Sequence, residues 1–475
     1  MADKNTESEE AKKEYLNDQW TTEVHLLGRE RYVESIHNLI LTVNPPFSLS
    51  INGRWGSGKT SILRALLDKL GGTHVEYVHG ITGHRVNDEN EVPKNENNSE
   101  NQDKTDLKEN IAVWFNPWQY QQEEDPLIPL LHEIRAQIHA YTKLKGLFKG
   151  NLRRHTEVAM HTITGVVDAA LTIFSPLKKT KIASETVQNI RSEGFHNLTD
   201  AQRFFLHFEE AIKQAVGEQG RLVIFVDDLD RCSDEAVFKL LEAIKLYLSS
   251  EHCVFVFGLD SGHVESAISK VTEYNYQEAT QYVDKLFQAR LDLPEPSETE
   301  MQAFIKHHVE AIFPEDSESP QFDIDTLNLY LPTNPRFVKN FLNSLKLYSQ
   351  LWVTLHDEKM DEHKFLLLQL FRAFYLDAYE LLKQDPEQLV IVNKVLKGEI
   401  SSEEVDNYIH YIVENPIYST PKFIQERIEK DKGINDERFR QIRTKIPLSK
   451  VNKVFHEDFC NTFGTDETSL KLYLL

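Results

Sequence analysis

The sequence predicts an α/β protein: a parallel, doubly wound sheet followed by an α-helical C-terminal region. Three observations carry that prediction. Apolar runs of strand length alternate with helical spacing from residue 47 to residue 293, an order that a parallel sheet with crossover helices satisfies. Gly53-Arg-Trp-Gly-Ser-Gly-Lys-Thr60 lies between the apolar run Phe47–Ile51 and the helical pattern Ser61–Leu67, the strand–turn–helix setting of a phosphate-binding loop. Arg221-Leu-Val-Ile-Phe-Val-Asp-Asp228 reads as a buried strand that delivers two carboxylates to the C-terminal edge of the sheet.

Composition narrows the class. A chain of 475 residues is long enough for two or three domains with cores of their own. Its 40% hydrophobic and 27% charged content is that of a globular protein. A net charge of −22 excludes a surface built wholly to coat nucleic acid, although a local basic groove stays open. Cys232, Cys253 and Cys460 lack zinc-ligand spacing and read as reduced thiols. The polar N-terminus has no apolar signal region, so a cytoplasmic protein is expected.

The elements are taken in chain order. A polar arm, residues 1–25, precedes Gly28-Arg29 and a helix whose apolar positions are Val33, Ile36, Leu39 and Ile40. Pro45-Pro46 ends that helix and starts the strand into the loop. The next helix stops at Gly71-Gly72. Residues 87–110 are too polar to build a core and read as a surface insertion. Ile111–Phe115 is a strand, ending unusually in Asn116-Pro117-Trp118.

A helical insertion over 143–195 carries Lys143, Lys145, Lys149, Arg153 and Arg154 ahead of the apolar stretch 158–174. That stretch is shorter than the roughly 20 residues of a span, and a single crossing would separate the loop from the carboxylates. It reads as a buried or partner-facing helix, a hairpin, or a membrane-surface segment with basic flanks. Strand Cys253–Phe257 leads to Asp260, and Tyr282–Leu293 ends in a fifth strand. Helical spacing then continues through a lid, residues 297–350, into a C-terminal domain, residues 351–475, in which Phe365–Leu382 reads as one core helix. The core therefore spans residues 26–296.

The chemistry is set by residue types. Gly53, Arg54, Trp55, Gly56, Ser57, Gly58, Lys59, Thr60 and Ser61 form a loop whose amides and helix N-terminus face a polyphosphate. Lys59 reaches the β- and γ-phosphates, and Thr60 and Asp227 hold Mg²⁺. Asp228 orients or deprotonates the attacking water. Asp260 is either a γ-phosphate sensor or a helix N-cap. Arg336, in the first turn of a helix begun by Asn334-Pro335, is placed to swing over the nucleotide. ATP is expected over GTP, because Asn393-Lys394 continues as Val-Leu and leaves no guanine box.

Four boxes together resemble the KAP family of P-loop NTPases: Gly53–Ser61, Trp114-Phe-Asn-Pro-Trp-Gln-Tyr120, Phe225-Val-Asp-Asp-Leu-Asp-Arg-Cys232 and Thr333-Asn-Pro-Arg-Phe-Val-Lys-Asn-Phe-Leu342. The resemblance runs from about Leu26 to Leu347. It implies an ATPase core with an additional strand between the two nucleotide motifs, followed by a helical lid. It places Gly28 and Arg29 near the adenine, makes Arg336 a sensor and offers Arg231 as a finger toward a neighbouring subunit. It further implies a homo-oligomer acting as switch or motor in a larger assembly, with a protein partner carrying any effector activity. Bacterial relatives are linked to exclusion of phages or plasmids, and animal relatives to membrane scaffolding. A nucleotide-stabilised scaffold and a peripheral membrane NTPase are the alternatives.

Overall fold

A computed structural model describes residues 15–16, 27–71, 75–77, 84–86, 110–123, 126–146, 200–247, 250–313, 320–357, 359–397 and 451–474. The expectations for the polar insertion up to residue 109 and for the apolar stretch 158–174 lie outside them. The chain forms two compact units, Trp20–Glu295 and Pro296–Leu475, the latter joined by Met1–Gln19.

The first unit is built on five strands: β1 (Phe47–Asn52), β4 (Asn110–Phe115), β5 (Arg221–Val226), β6 (Cys253–Leu259) and β7 (Ala289–Asp292). They form one sheet in the order β4-β5-β6-β1-β7, and every pairing is parallel. β6 is therefore the additional strand, lying between the strand of the phosphate loop and the strand of the carboxylates. β5 and β6 are buried along their whole length, as a sheet covered on both faces requires.

Their side chains alternate between two cores. Leu222, Ile224, Phe255 and Phe257 face one; Val223, Phe225, Val254 and Val256 face the other. The second core is closed by α1 (Glu30–Thr42) and α2 (Lys59–Lys69). The first is closed by α3 (Leu127–Gly146), α4 (Asp200–Val216), α5 (Asp234–Tyr247), α6 (Ser261–Thr272) and α7 (Tyr276–Leu286). Helices on both faces confirm the doubly wound arrangement.

One feature of this unit was not in the sequence reading. A short antiparallel hairpin, β2 (Val75–Tyr77) with β3 (His84–Val86), lies outside the main sheet. The run Tyr282–Leu293 ends, as expected, in a strand, the four residues of β7. Its first part belongs to α7, which is started by an Asn275/Glu278 capping box; the box satisfies two orphan N–H groups and commits the chain to helix.

The second unit, among the described residues, is helical: α8 (Glu298–Ile312), α9 (Ile324–Tyr330), α10 (Pro335–Leu355), α11 (Glu362–Phe374), α12 (Leu376–Gln384), α13 (Leu389–Lys397), α14 (Val451–Phe463) and α15 (Glu467–Tyr473). The expected single core helix Phe365–Leu382 is two helices. Tyr375 leaves helical geometry (φ −136°, ψ 58°), and its hydroxyl lies 2.6 Å from His456 Nε2. Aromatic rings fill the interior, with Phe371 stacked on Phe459 at 4.5 Å and Trp352 on Tyr473 at 5.7 Å. Leu16 is pinned to α10 through a pair of 2.7 Å bonds between its backbone and the Asn343 amide. Among the described residues no helix is long and apolar enough to cross a membrane. The three cysteines are free and buried.

Candidate functional site

The phosphate loop leaves β1 at Asn52, and its first amide, Gly53 N, donates to Leu259 O across the sheet edge (3.1 Å). Gly56 and Gly58 have φ of 79° and 100°, the left-handed region that other L-residues enter at a cost. Gly58 is constrained from outside as well: a Cβ there would sit 2.8 Å from Arg29 Nη1. α2 begins at the next residue, so its unsatisfied N–H groups point out of the loop where a phosphate would bind.

Arg29 holds this loop. Its guanidinium, 4% exposed, donates to Ser57 O (2.6 Å) and to Pro294 O (2.9 Å). Gly28, just before it, has φ 63°. The resemblance implies a place near the adenine for Arg29; in the structure the guanidinium bonds the loop backbone. Trp55, at the crest of the loop, is 67% exposed.

Lys59 is 7% exposed. Its Nζ donates to Gly53 O (2.9 Å), Arg54 O (3.4 Å) and Asp230 Oδ2 (3.1 Å). Asp230 is nearly as buried as the lysine, and each charge compensates the other in a site where a lone charge would be costly. Sequence reasoning missed the role of Asp230, although it stands in the same acidic run.

Asp227 is 1% exposed, with its N–H donating to Phe115 O at 3.1 Å. Burial, then the neighbouring Asp228, push its carboxyl up to about 6, and a hydrogen bond from Thr60 works in the opposite direction. Its Oδ2 is buried without a hydrogen-bond partner. An orphaned carboxylate oxygen beside a threonine hydroxyl is a hard-oxygen donor set, and it fits Mg²⁺, which takes few protein ligands and keeps phosphate and water for the rest. Gly258 on β6 makes room for it: a Cβ there would lie 3.1 Å from Asp227 Oδ1 and 2.6 Å from Leu63 Cδ1.

Asp228 adopts a left-handed backbone, φ 59°. Asn116 Nδ2 donates to its Oδ2 (2.8 Å) and Arg231 Nε to its Oδ1 (2.8 Å). Arg231, expected to reach a neighbouring subunit, is thus engaged by its own chain, with its guanidinium 5.8 Å from the Trp118 ring centre. A further cation sits behind the carboxylates. Arg64 on α2 lies 3.6 Å over the Trp114 ring; burial pulls its pKa down to about 10 against the opposing pull of Asp227, Asp68 and Asp228.

Asp260 comes directly after β6 and caps α6, its Oδ1 accepting from Gly262 N (3.1 Å) and His263 N (3.4 Å). Of its two accounts, this geometry supports the cap. Arg336 is the second residue of α10, behind the Asn334 N-cap, and belongs to the helical unit.

Residues 29–352 match the KAP family P-loop domain, more than half of the chain. The chain belongs to the KAP family of P-loop NTPases. No curated protein matches it. The KAP domain takes in the whole sheet, opens at the arginine that holds the phosphate loop and continues into the helical unit as far as Trp352. Lys59, Thr60, Asp227 and Asp228 all lie inside it.

Proposed function

We propose that this KAP protein is a Mg²⁺-dependent ATPase that converts ATP to ADP and phosphate. The observation that carries the reading is the buried, half-satisfied carboxylate of Asp227 bonded to Thr60 at the head of the phosphate-loop helix. A protein keeps an unsatisfied buried carboxylate oxygen at a cost, and a cation there removes it.

The chain's own groups divide the work. The loop amides and the N-terminus of α2 bind the polyphosphate. Lys59 exchanges Asp230 for the β- and γ-phosphate oxygens. Thr60 and Asp227 would hold Mg²⁺, which when bound would offset charge developing on the phosphate oxygens. Asp228 orients the water and accepts its proton, a role worth about 10²–10⁴-fold in rate. Arg336 serves as a sensor from the lid. In the same reading the protein is a homo-oligomeric switch or motor working with a partner in bacterial anti-phage or anti-plasmid defence, in the cytoplasm or at the inner face of the membrane.

The test is phosphate release from Mg-ATP by the unmodified protein, Asp228→Asn and Lys59→Ala, with and without chelator. Turnover lost in both variants and on chelation supports the reading. An unmodified protein that binds ATP but releases no phosphate sinks it for the isolated chain. A scaffold that binds ATP without turnover is the second reading. It draws on the internal engagement of Lys59 by Asp230 and of Asp228 by Arg231, and it predicts that Asp228→Asn changes nothing.

A further inference from the structure

We infer that Asn116 is a positioning residue for Asp228, so that the Phe115-Asn-Pro-Trp118 box belongs to the hydrolytic apparatus. This rests on the ATPase reading above and assigns the one motif that reading leaves without a task.

The sheet brings the two together. β4 pairs with β5 so that Phe115 stands opposite Val226, and the bond from Asp227 N to Phe115 O extends that ladder one step. The next residues in register are therefore Asn116 and Asp227, and the turn at Asp228 follows at once. Asn116 is fixed at both ends of its amide. Its Oδ1 accepts from Trp118 N (3.1 Å), which leaves the NH₂ facing Asp228 Oδ2 at 2.8 Å. An aspartate or serine would cap Trp118 N equally well; only an amide offers an acceptor and a donor from one planar group.

The rest of the box supports the same carboxylate. Pro117 is buried and starts the 3₁₀ turn Pro117–Tyr120, with φ preset by its ring. Tyr120 stacks on Phe115 at 5.9 Å and donates to Glu133 Oε1 on α3 at 2.8 Å, anchoring the far end. Trp118 lies beneath Arg231, whose Nε holds the second oxygen of Asp228. Both oxygens of Asp228 are thus oriented from the box, one directly and one through Arg231. The left-handed backbone of a non-glycine residue at 228 shows that the turn is held in place by its surroundings.

The experiment compares Asn116→Ala and Asn116→Asp with the unmodified protein in Mg-ATP turnover, affinity for a fluorescent ATP analogue and thermal melting. Asn116→Asp keeps the Trp118 cap should the alanine variant loosen the turn, and it replaces the donor with a second carboxylate facing Asp228. Turnover is expected to fall at least about tenfold in Asn116→Ala and further in Asn116→Asp, within the range a general base supplies. Nucleotide affinity stays within about twofold, and neither change adds to the loss in Asp228→Asn. Turnover that is unchanged or raised, or losses that add to those of Asp228→Asn, would overturn the assignment while the unmodified enzyme remains active. An unmodified protein with no turnover overturns the ATPase reading and this role together.

Discussion

Asp227 and Asp260 are the same residue type in the same place: each comes directly after a fully buried strand at one edge of one parallel sheet. Their fates are opposite. Asp260 leads at once into α6, whose free N–H groups take up its carboxylate. Asp227 still belongs to the ladder through its own N–H, and the chain beyond it enters a left-handed residue and a 3₁₀ turn, not an α-helix. It meets the Thr60 hydroxyl and keeps one oxygen unbonded. An acid at a strand end is informative only once the backbone donors beyond it are counted.

The sharpest way to break this contrast is to replace each acid and read stability beside turnover. Asp227→Asn removes a buried charge. The carboxyl holds its proton up to about pH 6, above the 3.8 of an ordinary aspartate, so the folded protein binds the proton more tightly than the unfolded chain. Its contribution is favourable below about pH 4 and lost as pH rises through 6. The asparagine variant without nucleotide should therefore be more stable at pH 7 by about 1–3 kcal/mol, while turnover falls by about 10³-fold or more. Calorimetry and phosphate release check the pair, and a destabilised Asp227→Asn would contradict the account of an unsatisfied carboxylate.

Arg29→Ala tests the loop rather than the acid. It strips the Ser57 and Pro294 carbonyls of their donor and should weaken ATP binding about tenfold and stability by about 1–3 kcal/mol. Adenine contact alone would instead leave the stability of the nucleotide-free protein unchanged. Gly258→Ala places a methyl against Leu63 and Asp227; overpacking of this kind costs about 1–3 kcal/mol, and turnover should drop severalfold because the carboxylate proposed to hold Mg²⁺ shifts. The smallest effect is Asp260→Ala: about 1 kcal/mol from the lost cap, with turnover within about twofold. A turnover loss as large as that of Asp228→Asn would restore the sensing account of Asp260.

How much of the molecule was legible in the sequence depends on the reach of each interaction. The loop, the strand before it and the acidic strand end are local patterns, and the structure has them within a residue or two of the expected bounds. The parallel sheet and its two-faced core come from alternation and were readable, whereas the additional strand came only with the family resemblance. The bonds Asn116–Asp228, Lys59–Asp230 and Arg29–Pro294 join residues more than one hundred positions apart. No periodicity encodes them, and they decide which charges are free to act. Asn116 left a trace as an odd strand end before proline; Asp230 was hidden among its neighbours. The break at Tyr375 was invisible because Phe365–Leu382 is apolar on both sides of it, and the tyrosine–histidine contact at the corner joins residues far apart in the chain.

Gly258 has a geometric consequence. β6 separates the loop strand from the acid strand, and two strand spacings amount to about 10 Å. To meet Thr60, Asp227 must pass over the rail between them, and it passes where that rail carries no side chain. The gauge of the site is thus set by a hydrogen-bonded lattice and by one missing methyl group. A lattice of that kind is stiff, so in the proposed ATPase cycle any movement on loss of a phosphate would begin in the turn after Asp228, outside the ladder.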